Sequence, residues 1–315
     1  MIGAEVIFLV VVNGLLSFIG IIVNVLVVLV VLKNQQMRNE LNLLMASLSI
    51  ADIIVCLAAQ PMYMVTLCIE ESEEFKYAFE LVAFIGLHAS FNSLTGMTIN
   101  RMAVLLHPFS YTMSHHRKRL YVGIIGGIWI SSVILAYYFT TGSGRQISAH
   151  IHVVMFSMFI FSYAYIFWVA RKQVRKISSQ MQSVSFNHKA TKIHSENSAA
   201  KTSAILVTSS LVCFIPDIVF DYLHMVDEMR FGWLFTLLFL SSAVNPCIYV
   251  WRNERFRLVL LRTVHCFPAI RDRIISSTRV NPGQMESTKQ KGVPTKGKAS
   301  TVPGLDNQCS VEDLE

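Results

Sequence analysis

Residues 6–32 read VIFLVVVNGLLSFIGIIVNVLVVLVVL, an unbroken run without a single charge. A helix needs about 20 apolar residues to cross a bilayer core of roughly 30 Å, so this run is long enough to span with some tilt. Glu5 is the only charge before it, no basic segment leads into it, and no small-residue cleavage site follows a short core. It therefore reads as a retained signal-anchor helix, not a cleaved signal peptide.

Working outward, further apolar stretches lie at 41–68, 77–106, 120–140, 147–170, 200–224 and 232–251. Each meets the same length criterion, which makes seven spans and an all-α membrane protein built as a seven-transmembrane helix bundle. Composition agrees: 53% of the 315 residues are hydrophobic and 15% charged, with a mean hydropathy of +0.49. A soluble domain carries about 25% charged residues. No internal repeat is visible, which argues against a transporter built from inverted halves.

The polar links differ in charge. One set holds Lys33, Arg38, Arg117, Lys118, Arg119, Arg171, Lys172, Arg175, Lys176, Lys189 and Lys192. The alternate set holds only Lys76, Arg145 and Arg230, beside Glu70, Glu71, Glu73, Glu74, Asp227 and Glu228. The positive-inside rule then places the N-terminus outside and the C-terminus in the cytoplasm of a multi-pass membrane protein. The net charge of +7 follows from this bias and a basic tail, with no call for a nucleic-acid partner. After Tyr249, WRNERFRLVLLRTVHCF sets apolar residues at helical spacing against arginines, the pattern of an amphipathic helix on the inner leaflet. Residues 1–266 thus form one membrane domain including that surface helix. Residues 267–315, rich in Ser, Thr, Lys, Gly and Pro, are expected to be a disordered cytoplasmic tail.

Six cysteines make no framework. Cys56, Cys213 and Cys247 fall within spans, where cysteine is usually a small buried hydrophobe. Cys68 ends the second span, and Cys266 follows the surface helix, where palmitoylation favours cysteine. No metal cluster of His and Cys, glycine loop or Ser-His-Asp set is apparent, so no enzyme is expected.

Polar residues inside the spans carry the function. Asn24, Asp52, Ser90, Ser242 and Asn245 fall at similar depth if the helices bundle. A carboxylate in lipid must face the bundle interior and find a partner. Oxygen donors around Asp52, namely Ser90, Ser242 and Asn245, suit a hard cation such as sodium, and an ion-free hydrogen-bond network is the alternative. Pro246 within SSAVNPCIY frees backbone groups and kinks the seventh span. Arg101, in LTGMTINRMAVLLHPFSY (94–111), sits at the margin of an apolar helix, where arginine is costly and so a functional candidate.

The motifs GIIVN, LSIAD, NRMAVLLHP, Trp129 in GIWISS, Tyr163 in SYAYIFWVARKQ, CFIP and NPCIY occur in order, one per span. In this the chain resembles the rhodopsin-like (class A) G-protein-coupled receptors over roughly residues 12–266. The resemblance implies that Arg101 is held at rest by acids and released to contact a heterotrimeric G protein. Asn100 stands where the family carries an acid, and Glu196 matches the sixth-helix acid. Pro108 resembles the residue that turns the chain into the second cytosolic loop. Tyr163, Phe214, Pro216, Asn245, Pro246 and Tyr249 fall at the activation positions, and Cys266 at the lipidation position. Arrestin and receptor kinases acting on the Ser/Thr tail are further implied partners. Apart from the sodium ion, no cofactor is implied.

The departures are specific. Lys76 replaces the usual third-helix cysteine, the link TTGSGRQISAH is short and lacks Cys, Met155 replaces the fifth-helix proline, Phe214 the toggle tryptophan, and Ser210 a phenylalanine. A missing bridge, a short second outer loop and the absent proline resemble the melanocortin receptors, and the wider cluster of adenosine, cannabinoid and lysophospholipid receptors is also compatible. Ala83 stands where amine receptors carry Asp, and the seventh span has no Lys for retinal. Glu80, Asp217 and Asp221, with Phe84 and Phe235 as walls, then outline a pocket for an extracellular ligand bearing a cation, either peptide or small molecule. Asp217 and Asp221 are four apart and share a helix face. A non-signalling seven-helix protein (channel, transporter or scaffold) is the alternative function.

Overall fold

The computed structural model describes residues 3–106, 115–178, 184–223 and 228–263. Pro108 and Cys266, together with the tail beyond residue 263, lie outside the described residues. The helices are α1 (Ala4–Lys33), α2 (Glu40–Thr66), α3 (Glu73–Leu106), α4 (His115–Thr140), α5 (Gly142–Ser178), α6 (Val184–Tyr222), α7 (Glu228–Arg252) and α8 (Glu254–Thr263). Among the described residues there is no strand. The first seven helices form the bundle.

Six of the seven are long and apolar enough to cross a membrane, and α3 is the exception. The expected span at 77–106 is helical throughout, but its polar side chains turn inward, so it needs less apolar surface. Glu80, His88, Ser90, Ser93, Thr98, Asn100 and Arg101 are all buried along it. Helix α3 packs against α2, α4, α5 and α6, which explains how it tolerates them. The spanning windows of α2 and α7 are 61% buried, against 17% for α5, so α5 lies toward the lipid with Met158 and Phe161 exposed.

Lipid tails are as apolar as leucine, so helices in a membrane associate through close packing and interhelical hydrogen bonds. Both devices converge on α2. Pro61 lacks an N–H, and just before it Val55–Ala59 widens into a π-helical turn in which the Gln60 N–H bonds the Val55 carbonyl. The Cys56 carbonyl in that turn accepts a hydrogen bond from Ser17 Oγ of α1 at 2.7 Å. A Cβ on Gly20 would lie 2.5 Å from Cys56 Sγ, and one on Gly86 would lie 2.5 Å from Val55 Cγ2. These two glycines let α1 and α3 close on the widened turn. Asn24 Nδ2 donates to the Gly20 and Ser242 carbonyls, each at 3.0 Å, and so ties α1 to α7.

Helix boundaries depart from the expected spans where the links are themselves helix-compatible. Only Thr141 separates α4 from α5, so most of TGSGRQ is helical. The Thr140 and Thr141 hydroxyls donate to the Tyr137 and Tyr138 carbonyls at 2.8 and 2.6 Å, satisfying groups that a helix end leaves open. Helix α5 runs on to Ser178 and α6 begins at Val184, because the basic link between them contains neither Gly nor Pro. After α7, Asn253 Oδ1 accepts from the Phe256 N–H at 3.1 Å, an N-cap that starts α8 as a separate helix. Phe256 is fully buried, which seats α8 against the bundle.

Candidate functional site

Three polar or aromatic layers run along the interior from the Arg101 end to the Glu80 end. At the first, Arg101 is buried near the end of α3, and its charge reaches the hydroxyls of Tyr163 and Tyr249. Its neighbour Asn100 accepts a hydrogen bond from Tyr121 of α4 at 2.9 Å. Where a carboxylate would hold the arginine on its own helix, the amide instead links α3 to α4. The Tyr163 hydroxyl of α5 accepts from Thr98 Oγ1 of α3 at 3.3 Å and also faces Ser203 of α6. The Tyr249 hydroxyl donates to Asn42 Oδ1 of α2 and accepts from Asn253 Nδ2 at 3.1 Å. Its ring meets Phe256 edge-on at 5.2 Å. Each tyrosine is thus anchored to another helix, and the Glu196 side chain lies outside the described residues.

Breaking one anchor tests whether it restrains the bundle. Asn42→Ala removes the Tyr249 acceptor, and a hydrogen bond of this kind contributes about 0.5–1.5 kcal/mol. Basal nucleotide exchange on a G protein is expected to rise about two- to tenfold at matched surface expression. Unchanged basal exchange would show that Tyr249 is not restrained through Asn42.

The middle layer surrounds Asp52 of α2. Ser90 of α3 and Ser242 and Asn245 of α7 face its carboxylate. All four residues are buried, and both carboxylate oxygens lack a hydrogen-bond partner among the described residues. Ser242 Oγ and Asn245 Nδ2 are likewise without one. A buried polar group without a partner costs about 1–3 kcal/mol, and the Asp52 and Ser242 oxygens suit a cation with its water, while the Asn245 amide N–H can only donate to an oxygen. Ser210, which departs from the family phenylalanine, donates to Asn245 Oδ1 at 3.2 Å and draws α6 into this layer.

Above it, Phe214 of α6 sits two residues before Pro216 and packs on Phe91 of α3 at 6.3 Å and Phe156 of α5 at 5.9 Å. Phe91 and Phe156 are themselves 5.1 Å apart. This cluster joins three helices at the α6 kink. Toward the far end, Glu80 is buried, while Phe84 and Asp217 are half-buried. Burial pushes the Glu71 carboxyl above its usual range, with the Lys76 charge opposing and the charges of Glu73 and Glu80 adding to it. The Asp221 side chain lies outside the described residues. Phe235 is packed in a box with Tyr63, Phe79 and Phe239, at 5.8, 5.3 and 5.7 Å between ring centres. The Tyr63 hydroxyl closes the box by donating to the Gly232 carbonyl at 2.5 Å.

Sequence reasoning missed Tyr63 and Phe79 in this box, Asn42 and Tyr121 at the Arg101 end, and a pair formed by His88 and His152. Only the Phe235/Phe239 spacing of four carried a signal. The other contacts join distant parts of the chain.

Comparison with known proteins agrees with this arrangement. The model of the 7 transmembrane receptor (rhodopsin family) matches residues 23–152. The human neuromedin-U receptor 2 is 25% identical, over 79% of this chain and 69% of its own length. The bovine melanocortin receptor 5 is 22% identical over 81% of this chain and 83% of its own length. The chicken thyrotropin-releasing hormone receptor is 24% identical over 80% and 77%. The four free cysteines among the described residues, Cys56, Cys68, Cys213 and Cys247, fit the missing third-helix bridge. In the ordered motifs of its seven helices and in these relatives, the chain is similar to the rhodopsin-like family of seven-transmembrane receptors.

Proposed function

We propose that the ligand of this G-protein-coupled receptor carries a positive charge and enters at the Glu80 end of the bundle. The single observation that carries this is the pair of interior carboxylates there: Glu80 is buried and Asp217 half-buried. Carboxylates gathered at one end of the bundle interior attract a positively charged group, so a cationic ligand is the best match for them. The relatives include peptide and amine receptors, which is compatible with either a basic peptide or a small cation. A channel, transporter or scaffold is not favoured, since the relatives are receptors.

By the positive-inside rule, the Glu80 end of this multi-pass plasma-membrane protein would face outside and the Arg101 end the cytoplasm. Ligand at the kink above Phe214 would shift α6 and open the Arg101 end to a heterotrimeric G protein. Asp52, Ser90, Ser242 and Asn245 would hold a sodium ion that favours the resting arrangement, its charge matched by the carboxylate. Glu196 would restrain Arg101 at rest, and Glu196→Ala is then expected to raise basal signalling, because removing one partner frees the other. Equal basal activity at matched expression would remove Glu196 from the account. Beyond residue 263, Cys266 would be palmitoylated and the Ser/Thr-rich tail would recruit receptor kinases and arrestin.

The direct experiment is a ligand-library screen on cells carrying a promiscuous G-protein reporter. Agonists enriched in cationic groups are expected. A best agonist that is neutral or anionic would overturn the charge assignment.

A further inference from the structure

We propose that His88 and His152 form a two-imidazole binding site for a zinc-type transition-metal ion between α3 and α5. His88 is buried and His152 half-buried, and their Nε2 atoms face each other at 3.4 Å. Tetrahedral zinc holds imidazole nitrogens at about 2.0–2.1 Å, which sets two of them about 3.3 Å apart. The spacing in place is therefore already that of a chelate.

Protonation states are equally well disposed. His88 Nδ1 lies 2.7 Å from the Phe84 carbonyl, which can only accept, so Nδ1 carries the proton. The Nε2 lone pair of the neutral ring is then directed at His152. Metal-binding histidines usually show this arrangement, one nitrogen donating to a backbone carbonyl and the other left for the metal. In the absence of metal, His152 Nε2–H can donate to that lone pair. On binding, this proton transfers to Nδ1 of His152, so both rings ligate as neutral imidazoles and no net proton is released.

The surroundings favour a cation of this type over a hard one. Imidazole nitrogens suit zinc and copper, whereas magnesium and calcium need oxygen. Phe139 of α4 packs on both rings, at 5.1 Å from His88 and 5.4 Å from His152, and Phe84 meets His88 at 6.0 Å. These aromatic faces attract a positive charge. Two protein donors leave coordination positions for water or for a donor atom of the ligand. Three residues after His88 comes Phe91, and four after His152 comes Phe156, the rings that meet Phe214. A metal clamp would therefore fix the α3–α5 separation directly above the cluster at the α6 kink.

The test uses the untagged full-length chain in lipid nanodiscs, titrated with zinc against a fluorescent chelator. Saturable binding is expected in wild type, with magnesium unable to compete. His88→Phe and His152→Phe, which keep a ring against Phe139, are each expected to weaken it at least about tenfold. Copper bound to the wild-type chain should show an electron paramagnetic resonance signal coupled to two imidazole nitrogens, a readout that does not depend on either variant folding. Equal zinc binding in both variants, a copper signal coupled to fewer than two imidazoles, or no saturable binding in wild type would each overturn the site. The pair would then be a neutral hydrogen-bonded contact only.

Discussion

Asp217→Asn is expected to weaken a cationic agonist by about two to three orders of magnitude in a concentration–response curve. Breaking a buried charge pair by removing one partner costs about 3–5 kcal/mol, and every 1.4 kcal/mol is tenfold. Asp217 is half-buried one residue after Pro216, on the kinked stretch that also carries Phe214. A cation held there acts on α6 immediately above the cluster of Phe91, Phe156 and Phe214. Asp221 lies in the last turn of α6, which ends at Tyr222, and so is nearer water. Asp221→Asn is expected to cost under about 1 kcal/mol, the usual worth of an exposed pair. The contrast between the two variants separates a specific contact from general acidity. Equal potency for wild type and Asp217→Asn would remove Asp217 from the ligand site.

Raising sodium at constant ionic strength is expected to weaken agonist binding, and Asp52→Asn is expected to abolish that dependence. Coupling between two sites typically amounts to about 1–3 kcal/mol, or about 5–150-fold in affinity, and it is reciprocal. If sodium favours the resting arrangement, it lowers agonist affinity by its differential binding to the two states. The motive lies in the oxygens: both Asp52 oxygens and Ser242 Oγ are buried without hydrogen-bond partners among the described residues. Asparagine keeps the shape of the aspartate and removes the charge that a cation needs. Choline replaces sodium in the control arm. A sodium effect of equal size in Asp52→Asn would place the ion elsewhere.

The fold was legible because lipid imposes a strong rule: every backbone group must be paired within the span, so long apolar runs become helices. Six runs stood out by apolarity alone. The seventh, α3, was found despite carrying buried Glu80, His88, Asn100 and Arg101, since those residues face other helices. The link before α5 was less legible. Gly142 and Gly144 suggest a turn, yet α5 starts at Gly142, where Thr140 and Thr141 satisfy the preceding carbonyls. At the site, Asp52, Ser90, Ser242 and Asn245 could be grouped from depth, because each lies at a countable distance along its span. The grouping of Tyr249 with Asn42, or His88 with His152, could not. Those pairs are 207 and 64 residues apart, and they depend on helix rotation, which composition does not encode. Phe235 shows the same limit from the other side: an aromatic near the pocket proves to be packed into the box around Tyr63.

The central claim is that ligand at the Glu80 end opens the Arg101 end to a G protein. Its most direct measurement is agonist-stimulated nucleotide exchange on a purified heterotrimeric G protein, using wild-type and Arg101→Ala receptor in nanodiscs. Arg101 is buried, and its charge reaches the anchored tyrosines Tyr163 and Tyr249, so its exposure requires the rearrangement the ligand is said to cause. The account predicts robust exchange by wild type with agonist, and loss of that exchange in Arg101→Ala with agonist binding retained. Agonist-stimulated exchange of equal size in Arg101→Ala, or an agonist that binds wild type and drives a transmembrane current with no exchange on any G protein, would contradict it.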